Sequence, residues 1–110
     1  MAITIRRAFD PVQLPNAAAT QYTATNVKFV ITHATIVNTT AGAVTATVHI
    51  CAVATETATN MKISAKSIAA GEAYLCPELI GSVVPGGGTI RAFASAATSL
   101  SFDVAGYEVT

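Results

Sequence analysis

His49 and Cys51 stand two residues apart in the run VTATVHICAVA (Val44 to Ala54), so on an extended chain both side chains leave the same side, as two ligands of one zinc ion must. A third ligand would have to arrive from His33 or Cys76 on a neighbouring strand. No second paired-ligand motif accompanies them, and a His and a Cys on a sandwich strand serve as packing residues, so neither metal nor cofactor is expected. Nucleophilic catalysis asks for a hydroxyl or thiol with a base and an orienting group. Ser95 and Ser101 lie in no nucleophile-elbow context, and both histidines fall inside strands. The six carboxylates (Asp10, Glu56, Glu72, Glu78, Asp103, Glu108) are dispersed along the chain and suggest no glycosidase-like pair. Gly86 to Gly88 follow a proline and lead into a strand, whereas a phosphate-cradling loop leads into a helix, so they read as a turn. The chain is expected not to be an enzyme.

The elements that would position these residues are strands. Period-2 alternation places Val44, Ala46, Val48, Ile50 and Ala52 on one face and Thr45, Thr47, His49 and Cys51 on the other, an outer row of hydroxyls and small groups suited to packing within or between domains. Val27 to Asn38 reads as a long strand whose apolar parity changes between Ile31 and Ala34, which predicts a bulge near Thr32 and His33. Ala43 to Ala54 reads as its hairpin partner, Thr55 to Asn60 as a polar loop, and Met61 to Ile68 as a strand with one wet face. Thr89 to Ala94 and Ser99 to Val109 read as a closing hairpin, with Leu100, Phe102 and Val104 on one side and a last bulge at Gly106. With Thr4 to Phe9, Thr20 to Thr25 and shorter runs around Ala73 and Leu79, the count is about eight strands and no helix. The expected fold is a single all-β domain over residues 1–110, a two-sheet sandwich of jelly-roll or immunoglobulin-like type.

Composition bears on partners. At 110 residues the chain holds one core, 52% hydrophobic but only 6% aromatic and rich in alanine, so that core must be thin. Only 11% of residues are charged, against about 25% in ordinary domains, and the net charge is zero. A neutral surface lacks the field that nucleic-acid binding relies on and the repulsion that keeps copies apart, so self-association is expected and nucleic acid is not. No apolar run is long enough to span a bilayer, and Arg6 and Arg7 precede no export-type apolar segment, so no membrane partner is expected and Cys51 and Cys76 are expected as buried thiols. Residues 1–16 contain Pro11 and Pro15 beyond Ile3, Ile5 and Phe9. They read either as an edge strand or as an N-terminal arm that pairs with a neighbouring subunit through Ile5, Arg6, Arg7 and Phe9.

Four stretches carry a resemblance: LPNAAATQYTA (Leu14 to Ala24), ATIVNTTAGAVTATVHI (Ala34 to Ile50), SIAAGEAYLCPELIGSVVPGGGTI (Ser67 to Ile90) and the ending ASAATSLSFDVAGYEVT. In style and order they resemble small β-sandwich virion structural proteins of tailed bacteriophages. The closing element of that pattern, serine, glycine, any residue and glutamate, stands here as Ala105, Gly106, Tyr107 and Glu108, a small departure from it. The resemblance implies a head decoration (cement) protein on the capsid surface, assembled in the host cytoplasm, with the major capsid protein and further copies of itself, as dimer or trimer, as partners. It transfers no catalytic or metal residue. A tail, neck or fibre-attachment component is the alternative within the same class, and a receptor- or carbohydrate-binding module is the alternative outside it.

Overall fold

The computed structural model describes residues 3–52 and 60–110. Nine strands run through them: β1 (Ile3–Gln13), β2 (Ala19–Thr23), β3 (Lys28–Asn38), β4 (Val44–Cys51), β5 (Met61–Ile68), β6 (Ala73–Tyr74), β7 (Val83–Val84), β8 (Thr89–Ala94) and β9 (Leu100–Val109). The polar loop expected over Thr55 to Asn60 lies, except for Asn60, outside the described residues, as do Val53 and Ala54.

The pairing is nested. β4 pairs with β5, β3 with β6 and β7, β2 with β8, and β1 with β9, all antiparallel. This is one long hairpin, and it is rolled so that successive nested pairs fall in opposite sheets. β3 also pairs with β9 and β4 with β8, which closes a first sheet of order β1-β9-β3-β6, with β7 on β3, and a second of order β2-β8-β4-β5. The result is a two-sheet all-β sandwich with the nesting of a jelly roll.

Both hairpins expected from the sequence are instead crossings between sheets. β3 has no side left for β4, because β9 occupies one flank and β6 with β7 the other. The chain turns at Asn38, a buried side chain whose Nδ2 donates to the carbonyls of Gly42 at 2.8 Å and Ile68 at 2.9 Å. Its Oδ1 accepts from the Thr40 amide at 2.9 Å and hydroxyl at 2.7 Å. One side chain thus replaces the ladder that a hairpin would have supplied. The β8–β9 link turns at Thr98, which holds a left-handed φ of 54°.

The expected bulge in β3 is present, with the register against β9 shifting between Ile31 and His33. It carries the buried side from Phe29 and Ile31 to Ala34 and Ile36. Gly106 is not a second bulge. It pairs in register with Arg6 on one side and Ile31 on the other, and a Cβ there would lie 1.9 Å from the Val30 carbonyl oxygen. Glycine makes room for the β3 backbone as it bulges.

The core is thin in the sense that composition implies. Ala24, Ala34, Ala46, Ala92 and Ala94 are buried in it among Ile, Leu and Val, and Phe29 and Phe102 are its largest fully buried side chains. Two half-buried rings extend it: Phe9 packs on Phe102 at 5.4 Å and Tyr22 on Phe29 at 5.1 Å.

Candidate functional site

The candidate ligands for a metal are kept apart. His33 is on β3, exposed on the outer face of the first sheet, while His49 and Cys51 are on β4 in the second. His49 is buried with Nδ1 2.7 Å from Asn60 Oδ1, and Cys51 and Cys76 are separate buried thiols. Among the described residues no three His, Cys, Asp or Glu side chains gather as a ligand set. The row Thr45, Thr47, His49 and Cys51 is not an outer packing surface either. Thr47, His49 and Cys51 are buried within the chain itself, and Thr47 Oγ1 accepts from the Ala65 amide at 3.1 Å.

The glycine loop uses its amides internally. Gly87 N–H donates to Ala24 O at 2.7 Å and Gly88 N–H to Pro85 O at 2.8 Å, which closes a turn and leaves neither pointing at a ligand. One hydroxyl and imidazole do meet: Thr35 Oγ1 lies 3.1 Å from His33 Nε2, and Asp103 stands opposite Thr35 on β9. Asp103 Oδ1 is buried with no hydrogen-bond partner among the described residues. These three lie along an open sheet face rather than in a cleft that excludes water and positions a reacting atom.

What the fold does assemble is an apolar row across the outer face of the first sheet. Directly opposite residues run Ile5 on β1, Tyr107 on β9, Val30 on β3 and Val83 on β7. Ile5 is 87% exposed and Val83 47%, with Tyr107 and Val30 half-buried between them. A second row, Ile3, Val109 and Lys28, lies beside it, and Ile3 is 60% exposed. Asn26, Val27, Lys28, Val109 and Thr110 line a groove of about 360 Å³ at its end. Further along the same face Arg7, Ala105 and His33 form the next row, followed by Asp103 and Thr35. An apolar centre bordered by polar and charged groups is the anatomy of a protein–protein contact.

Residues 3–16, the edge strand β1 and the three residues after it, are laced to the body rather than detached from it. Leu14 is buried and its amide donates to Leu100 O at 2.8 Å, and Pro15 O accepts from Ala94 N–H at 2.8 Å. The four residues singled out there divide. Ile5 and Arg7 take positions on the outer face. Arg6 turns to the inner side, where Nη1 lies 3.4 Å from Glu108 Oε1, and a register shift after Arg7 turns Phe9 into the core. Glu108 Oε2 also accepts from Tyr22 Oη at 3.1 Å. Burial, reinforced by that carboxylate, pushes the Tyr22 hydroxyl up to about 12, so it stays protonated and ties the two sheets together.

Tyr107, Val30 and Val83 escape a reading of the sequence. Their meeting depends on which strands are neighbours, which alternation within one strand does not carry. Comparison with protein-family models, curated proteins and solved structures finds no match.

Proposed function

We propose that the chain is a structural protein of a tailed-bacteriophage virion, a capsid decoration protein that binds the major capsid protein and stabilises the head. The observation that carries this reading is the row Ile5, Tyr107, Val30 and Val83, an apolar stripe on a sheet face, exposed at both ends and with a polar border. Jelly rolls recur in capsid proteins, although the same fold also serves lectins and enzymes, so the fold supports the reading only together with the surface.

The mechanism is mechanical. Each Å² of apolar surface removed from water contributes about 25 cal/mol, against an association cost of roughly 4–15 kcal/mol, so a stripe this narrow holds one copy weakly. A capsid lattice presents the complementary surface many times, and linked copies reinforce one another. Six basic and six acidic side chains leave no net field to draw the protein towards packaged nucleic acid instead.

Co-sedimentation of the purified chain with mature capsids of the phage that encodes it tests the assignment. Saturable binding that fails when Val83→Asp is introduced supports it. Absence of binding, with the protein located on the tail, overturns it.

A further inference from the structure

Among the described residues four strand edges bound the two sheets, and three of them are blunted against pairing along their whole length. β2 is five residues long and bulged between Thr20 and Tyr22. β5 carries Lys62 and Lys66, two register shifts, and Ala65 at a left-handed φ of 45°. β6 and β7 are two residues each. Lysines, bulges and shortness are the devices that stop a sheet edge from recruiting another chain. β1 is bulged only in its second half, where its register shifts twice and Pro11 interrupts the ladder; its first half carries the charges of Arg6, which lies beside Glu108, and Arg7. From Ile3 to Arg7 it pairs residue for residue with β9, its outer side faces no other strand among the described residues, and it holds the two most exposed isoleucines.

We infer that Ile3–Arg7 is a dimerisation edge that pairs antiparallel with the same segment of a second copy about a two-fold axis at Ile5. The inference rests on the reading that this chain works by contact, and it specifies the first contact made.

Charge selects the occupant and the register. Directly opposite residues in an antiparallel pair share a face, so an axis perpendicular to the sheet keeps both outer faces on one side. An axis at Arg6 would set two guanidinium groups against each other, which is destabilising. An axis at Thr4 would pair only Ile3 to Ile5 within the regular stretch. An axis at Ile5 uses all five residues: Ile5 meets Ile5, Thr4 meets Arg6, and the aliphatic stem of Arg7 lies beside Ile3. Thr4 already stands opposite Glu108 in its own sheet, so each Arg6 lies across one strand from the other copy's Glu108 as well as beside its own. No like charges face each other.

The pairing joins the two first sheets into one. The apolar row then runs unbroken from Val83 of one copy through Ile5 of both to Val83 of the other, which doubles the surface offered to a capsid.

Sedimentation equilibrium of the full chain reads the monomer–dimer constant. Ile5→Lys brings two ammonium groups together at the axis and weakens the dimer by about tenfold or more, whereas Val12→Lys, exposed in the bulged half of the same edge, leaves it unchanged. Ile5→Cys adds an exposed thiol to a chain whose own two are buried, and oxidation yields a single covalent dimer, since opposite Cα atoms lie about 4.5–5.5 Å apart. Circular dichroism confirms that each variant is folded. A chain that stays monomeric at all concentrations, or a dimer that responds alike to the two lysine substitutions, overturns the inference. A monomer that binds capsids would do so while leaving the decoration reading intact, and a dimer of this kind that ignores capsids would do the reverse.

Discussion

A Cβ on Gly106 would lie 1.9 Å from the Val30 carbonyl oxygen, whereas one on Gly42 meets nothing within 4 Å. Gly106→Ala must therefore part β9 from β3 at the bulge, and is expected to cost about 2–3 kcal/mol in urea unfolding, while Gly42→Ala changes stability by less than about 0.5 kcal/mol. Equal effects at the two sites would contradict the close approach. Titration adds a second residue-scale expectation. Burial raises the Cys76 thiol from 9.0 to about 12, with the Glu78 charge adding to it, and the Tyr22 hydroxyl rises from 10.0 to about 12. Between these values the unfolded chain has released protons that the fold retains. The stability from these groups is thus fully present below about pH 9 and declines as pH rises towards 12, which urea midpoints across that range will report. A flat profile between pH 9 and 12 would contradict it. At this scale the direction of His49 and Cys51 was legible, because alternation fixes which side a residue leaves. Cys51 was also expected as a buried thiol, but the burial of His49 was not legible, because it depends on what covers the second sheet from outside.

Strands were legible as elements wherever one strand's own periodicity carried the information. The parity change from Ile31 to Ala34 implies an extra residue whatever lies next door, and the register against β9 shifts there. Neighbour relations were not legible. The links after Asn38 and after Ala94 are short enough for hairpins, and what forbids β3–β4 pairing is that both flanks of β3 are filled by strands far away in sequence. Asn38 then holds the corner with four hydrogen bonds from one buried side chain. Asn38→Ala removes a donor from the carbonyl of Ile68, leaves that of Gly42 to the Thr40 hydroxyl and solvent, and frees the Thr40 turn, for an expected loss of about 2–4 kcal/mol by chemical denaturation, and Asn38→Asp loses a comparable amount because it cannot donate. A loss below about 1 kcal/mol would mean that the corner is held by packing alone.

At the scale of the whole molecule, the nested hairpin brings β1, β9, β3 and β7 side by side, and so builds one apolar row from residues at positions 5, 30, 83 and 107 of the chain. The exposed end at Val83 is where a substitution can disturb contact without disturbing the fold. Val83→Asp is expected to weaken capsid binding by about tenfold or more while the thermal midpoint stays within a few degrees of the parent, as binding isotherms and calorimetry will show. Under the proposed function, pairing of copies at the open edge Ile3–Arg7 lengthens the row that docks. A cryo-EM reconstruction of the virion tests this account most directly. It predicts density for a jelly roll repeated across the head surface, with the outer face of the first sheet, Ile5 to Val83, against the major capsid protein. Density confined to the tail or neck, or a head-bound copy with that face turned to solvent, would contradict it.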